Sequence, residues 1–354
     1  MTAPQDTAET ADGPREAPPG TRGAAPDGPA NTTDTADTSD TAGTADAADA
    51  ADTIDTSNTT DTMKATDIAD TAALAATAPG YRPGRTLPLR VEAIRQLKRR
   101  RTLVMGGVLA LLPLVLLLAF AVAGSPGGRS DRVTLMDTAT ASGVNFAATC
   151  LFVSAGFLLV IPVALFCGDT VAAEAGWSSL RYLLAAPVPR ARLLWSKLVV
   201  GLGLSAAAIA LLPLVALAVG TAAYGWGPLE IPTGGALDAG TAVRRLAVVV
   251  AYVFASQLVT AGLAFWLSTK TDAPLGAVGG AVGLTIAGNV LDAVTALGHW
   301  RDFLPAHWQF AWADVFQPTP EWAGMLQGTA VSVTYALVLL ALAFRGFARK
   351  DVVS

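Results

Sequence analysis

Six stretches of this 354-residue chain carry no charged side chain: Thr102 to Gly128, Thr138 to Gly168, Leu198 to Leu229, Leu246 to Thr269, Ala273 to Leu291 and Trp322 to Phe344. Each reaches or exceeds the roughly 18 to 20 apolar residues that an α-helix needs to cross about 30 Å of hydrocarbon. Lipid offers no partner for backbone N–H and C=O groups, so runs this continuous must satisfy their own as helices rather than as alternating barrel strands. The expected fold is all-α and polytopic, with six transmembrane helices near 102–123, 145–168, 198–222, 246–269, 274–297 and 326–345 in a domain spanning 102–347.

With 52% hydrophobic and only 15% charged residues, the chain is too apolar for an ordinary soluble surface. Its charge is also unevenly placed. Residues 1–80 hold thirteen Asp and two Glu against Arg15, Arg22 and Lys64, a net −12, so a whole-chain charge of −4 leaves +8 on the remainder. Residues 1–85 are rich in Thr, Ala, Asp, Pro and Gly, with a loose Thr-Ala-Asp recurrence at Thr35-Ala36-Asp37 and Thr44-Ala45-Asp46. Such a segment has too little apolar surface to offset chain entropy, and its like charges repel. It is expected to be a disordered, acidic cytosolic tail; docking on a basic partner is the alternative. No charged start followed by an apolar segment near residue 10 suggests a cleavable leader.

Orientation follows from Lys and Arg. With both termini cytosolic, sixteen basic residues after residue 80 fall inside and five (Arg129, Arg132, Arg244, Arg245 and Arg301) fall outside, in the sense of the positive-inside rule. The pair Arg244-Arg245 is the main exception. Residues 348–354 form the expected cytosolic C-terminus. In 86–101, Leu87, Val91, Ile94 and Leu97 form a stripe, with Arg90, Arg95 and Lys98 on other faces. This spacing predicts an interfacial amphipathic helix on membrane lipid. Cys150 and Cys167 share the second span, about 25 Å apart on a helix, far beyond the roughly 6 Å a disulfide tolerates.

The loop 169–197 is too polar to cross a membrane yet patterned. Glu174, Ser178 and Arg181 fall on one side of a short helix and Trp177, Leu180 and Leu184 on another, before Pro187 and Pro189 end it. Such a helix between two crossings either transmits force from a partner or rests on lipid. Asp169 and Glu174 read as charges of a solvated loop, not as an acid/base pair.

This segment resembles the corresponding one of type 2 ATP-binding-cassette permeases, the membrane subunits of bacterial exporters. The likeness lies in Glu174, Gly176, the run Leu180-Arg181-Tyr182-Leu183-Leu184, Pro187-Val188, Arg190 and Lys197, supported by the basic run Arg95 to Thr102, Asn289 to Ala293, Leu304 to Trp308 and Phe347 to Val352. The resemblance implies a bacterial plasma-membrane export channel of two six-helix subunits, as homo- or heterodimer, driven by separate ATPase subunits. The loop would be the coupling helix, with Glu174, Gly176, Leu180, Arg181 and Arg190 as ATPase-coupling residues, and Glu174→Lys would uncouple transport. ATP and Mg would be held by the partner ATPase. This sequence contains no G-x-x-x-x-G-K-[ST] phosphate loop, so no cofactor is expected on the chain itself.

In the fifth span Gly276, Gly279, Gly280 and Gly283 have the small-x-x-x-small spacing that allows close helix packing, within the bundle or at a dimer seam. Asn289 and Asp292 follow; they either line a pathway or gate, or lie solvated at the outer interface. Pro113, Pro162 and Pro213 fall inside three other spans, where bends are permitted. Residues 298–324 hold Trp300, Trp308, Trp312 and Trp322 and are expected to return into the outer leaflet as short helices. His299 and His307 have no Cys or carboxylate at metal-ligand spacing, no hydrolase motif occurs, and no aromatic-interleaved basic patch suggests nucleic acid. The chain reads as a permease subunit without its own ATP-hydrolysing site. Two other classes compete: a proton-coupled secondary transporter using Asp292, and a non-transporting membrane scaffold.

Overall fold

The computed structural model describes residues 89–123, 135–176, 190–232 and 234–349. The expected tail over 1–85, the middle of the 169–197 loop and the end of the C-terminal segment lie outside these residues. Helices dominate the described chain: α1 (Leu89–Leu97), α2 (Arg100–Ala123), α3 (Gly143–Ala155), α4 (Val160–Gly176), α5 (Arg190–Tyr224), α6 (Ala239–Ser256), α7 (Leu258–Lys270), α8 (Pro274–Asp292) and α9 (Ala323–Ala348). Three 3-10 stretches, Thr295–Phe303, Pro305–Trp308 and Ala311–Phe316, link α8 to α9. A two-residue hairpin pairs Leu229 with Leu237 and Glu230 with Ala236, antiparallel, between α5 and α6.

Five units are long and apolar enough to span a bilayer: α2, α5, α6 with α7, α8 and α9; α3 and α4, bent by 53° at their junction, supply the sixth. The six expected crossings correspond to these five units and the bent pair, which is not a straight helix. Gly156 opens the break, and Pro162, which the sequence placed inside a helix, instead lies in the first turn of α4, where its missing N–H removes no helical bond. A break inside a membrane frees carbonyls that need donors. Here the side-chain amides of Gln309 and Gln257 donate to Ala155 O at 2.6 and 3.4 Å, and that of Asn289 donates to Gly156 O at 3.3 Å.

The fourth crossing begins at Ala239, earlier than the expected 246, because Asp238 caps α6 by accepting from the amides of Gly240 and Thr241. This placement accounts for the anomalous basic pair. Arg245 lies on the helix and donates to Val315 O at 2.7 Å and Gln317 O at 2.6 Å, closing the last 3-10 stretch, while Arg244 reaches Thr241. Ser142 caps α3 in the same manner. The short helices expected after α8 are present as 3-10 stretches, and Tyr252 on α6 holds them by donating to Trp308 O.

The core runs along α5, which packs on α2, α3 and α4, while α4 lies between α7 and α8. Phe146, Leu151, Leu194, Ile209, Leu212 and Phe265 are fully enclosed there. Close approach requires small residues: a Cβ on Gly143 would stand 2.6 Å from Thr221 N, so α3 and α5 touch backbone to backbone. Of the α8 glycines, only Gly280 meets another helix, at 3.1 Å from Leu267. Gly279 and Gly283 face open space, and Gly276 sees only Thr271 and Ala273 just before it. Both cysteines are free and buried.

Candidate coupling site

At the end of the bundle where α2 and α5 begin and α4 ends, seven charged side chains from four segments converge. Asp169 and Glu174 lie on the last turns of α4, Lys197 two turns into α5, Glu92 and Arg95 on α1, and Arg99 and Arg101 at the corner into α2. Lys197 Nζ stands 2.5 Å from Glu174 Oε1 and 3.4 Å from Glu92 Oε1. Arg95 bridges the same two carboxylates at 2.7 Å (Glu92) and 2.5 Å (Glu174), and Gln96 donates to Glu92 at 2.8 Å. Arg99 and Arg101 clamp the two oxygens of Asp169 at 2.7 and 2.5 Å.

The arginines are part-exposed, but the carboxylates and the lysine they meet are buried. Lys197 is 1% exposed, Glu174 3%, Asp169 6% and Glu92 7%. The sequence reading of Asp169 and Glu174 as charges of a solvated loop is therefore corrected: α4 continues to Gly176 and carries both into the protein. Charge taken out of water is tolerated only where opposite charge and hydrogen bonds replace the solvent, and removing one partner is then costly. Two further contacts tie down the same end of α4: the amides of Val171 and Ala172 both reach Ser268 Oγ on α7, at 3.1 and 2.9 Å.

Helix α1 is inverted relative to a soluble amphipathic helix. Leu89, Val91, Ile94 and Leu97 are 42–61% exposed, whereas Glu92 and Gln96 are buried. The apolar stripe is free for acyl chains and the polar face is turned into the ion-pair cluster. Burial alone would raise the carboxyl of Glu92; the charge of Lys197 and hydrogen bonds from Arg95 and Gln96 more than offset it and hold the group below its usual 4.5. Burial would lower Arg95, but its bonds to Glu92 and Glu174 outweigh this and raise it. A carboxyl lowered on folding stabilises above its unfolded value, and that contribution disappears as pH falls through the folded one. Melting of the purified protein should therefore weaken as pH falls below the usual 4.5 of the carboxyl, and Glu92→Gln should flatten that part of the profile. An unchanged profile in Glu92→Gln would remove Glu92 from the account.

Of the expected coupling residues, Glu174 belongs to this cluster, and Gly176 and Arg190 mark the ends of α4 and α5. Leu180 and Arg181 lie outside the described residues. Sequence reasoning missed the structural parts played by Glu92 and Lys197. A usable signal existed: Glu92 and Gln96 are an acid and an amide at i, i+4 on the side of α1 opposite its apolar stripe.

At the opposite end, Asn289 braces the broken crossing. Asp292 is part-exposed and paired: it meets Arg301 at 3.1 Å and His307 at 2.9 Å, with its side chain 22% exposed. His307 also faces Asp302 at 3.5 Å, so the fold brings it two carboxylate neighbours that sequence spacing does not suggest. A recess of about 160 Å³ opens beside Asn289, between α7, α8, α9 and the 3-10 segment.

A family model described as ABC-2 family transporter protein matches residues 90–271, slightly more than half of the chain. That range contains α1, the ion-pair cluster and the first four crossings. No curated protein matches the sequence.

Proposed function

The chain belongs to the ABC-2 family of transporter proteins, and from that premise we propose that this membrane permease is the channel half of an ATP-driven exporter in a bacterial plasma membrane. A separate ABC ATPase subunit works with such a permease. In the proposed assembly two permease subunits stand side by side, the loop 169–197 and both termini face the cytosol, and ATP and Mg are held by the partner.

The observation that carries this reading is the tie between the two flanks of the loop. Glu174 on α4 and Lys197 on α5 are joined inside the protein, and Glu92 and Arg95 bind α1 to both. A push on the loop would move the three elements as one body. Because α4 is continuous only up to the 53° break, displacement at the cytosolic end is delivered to that joint. Glu174 acts in this scheme as the buried anchor of the lever; Gly176, Leu180, Arg181 and Arg190 belong to the stretch that would meet the ATPase. The proton-carrier alternative loses support, because Asp292 is held by Arg301 and His307 within the external segment. Carriers need access from both sides.

Inverted vesicles containing the permease and its ATPase test the reading. Accumulation of a hydrophobic fluorescent dye should require ATP and Mg and persist when the proton gradient is collapsed. Accumulation driven by a proton gradient without ATP would overturn the proposal, as would absence of flux under both conditions.

A further inference from the structure

We infer that the recess between α7, α8 and α9 is a binding site for an uncharged amphiphile with a hydrogen-bonding head. The inference deepens the permease reading, on which it rests only for calling the ligand a cargo.

The recess has a polar end and an apolar body. Gln257, Asn289 and Gln309 converge at the outer end, Thr260 and Thr285 meet at 3.3 Å on the side wall, and Tyr335 flanks the mouth. No residue lining it carries a charge. The nearest carboxylate along α8, Asp292, is occupied by Arg301 and His307. An ionic ligand would lose its hydration and gain no counter-charge, which excludes it on energetic grounds.

The hydrogen-bonding character of the polar end follows from the broken crossing. Gln257, Gln309 and Asn289 each give one N–H to the carbonyls of Ala155 and Gly156. Each amide keeps its oxygen and its second N–H, so the polar end of the recess offers both acceptors and donors. A hydroxyl or an amide, which can give and accept at once, matches that set. A ligand bound there also touches the three amides that brace the α3–α4 joint, so occupancy and the bend share the same atoms.

The probe is a matched pair of photo-crosslinkers, neutral 4-(hydroxymethyl)benzophenone and anionic 4-benzoylbenzoate, applied to the permease–ATPase complex in nanodiscs and mapped by peptide mass spectrometry. The neutral probe should label Val259, Leu263 and Leu284 about tenfold more than the anion does. Gly288→Leu should remove that labelling, since Gly288 lines the recess and a Cβ there meets nothing within 4 Å. Thr285→Leu fills the recess from one turn earlier, so either variant suffices. Labelling spread over the lipid-facing helices, equal for both probes, or unchanged in the filled variants would overturn the site. Neither result depends on ATP-driven flux, so loss of the binding site leaves the exporter reading standing and the converse holds as well.

Discussion

Glu174→Lys should strip the permease of about 3–5 kcal/mol of stability, and adding Lys197→Glu should return part of it. The single reversal leaves Lys197 and Arg95 facing a third cation, with only Glu92 to balance them, in a place where Lys197 is 1% exposed. The double reversal restores one opposite-charge pair across α4 and α5. The readouts are melting temperature in detergent and the ATPase activity that copurifies with the permease. A single reversal that melts like the wild type, or a double variant no better than the single, would show that the buried pair is not what joins the two flanks. The sequence alone assigned Glu174 to an exposed coupling surface and expected uncoupled transport with insertion intact. Its burial predicts instead that stability and coupling fall together, because the anchor of the lever is lost rather than its contact with the partner.

The second large effect concerns two glycines of the same residue type and opposite surroundings. Gly143→Ala should cost about 1–3 kcal/mol, because the added methyl would meet the backbone of Thr221 at 2.6–2.7 Å and backbone cannot swing aside. The same seam contains Gly220, where a Cβ would lie 2.8 Å from the ring of Phe146. Gly279→Ala should leave the stability of the isolated chain unchanged, since nothing lies within 4 Å. Expression and melting of the two variants side by side decide the matter. A tolerant Gly143 would mean that α3 and α5 are farther apart than described; a Gly279→Ala defect confined to the oligomer would place α8 at the seam between copies.

The sequence reached the fold through its strongest signal. Charge-free runs of membrane length identify crossings regardless of tertiary detail, and the tally of basic residues orders the ends. What escaped it depended on contacts between segments far apart in sequence. The α3–α4 break is an example. Gly156 and Pro162 were visible, but a break in lipid survives only if donors arrive from elsewhere, and Gln257, Gln309 and Asn289 belong to three other elements. Arg244 and Arg245 looked like a violation of topology until the carbonyls of Val315 and Gln317 came beside Arg245. The coupling site was half legible: the resemblance selected Glu174 and Lys197, while hydropathy placed Glu174 in water because periodicity alone cannot tell the end of a span from the loop beyond it.

The buried cluster also has a consequence for biogenesis. Glu92 and Arg95 leave the ribosome long before their partners: Glu174 follows Arg95 by 79 residues, and Lys197 follows Glu92 by 105. Until the second hydrophobic segment is complete, the inner face of α1 has only its own pairs, Glu92 with Arg95 and Gln96; Glu174 then reaches Arg95, and only the third segment brings Lys197. The first crossing can insert early, but its charged collar cannot close before that point. A chain stalled short of Lys197 would thus leave Glu92 and Glu174 without the lysine that joins them, and the collar closes only when α5 is in place.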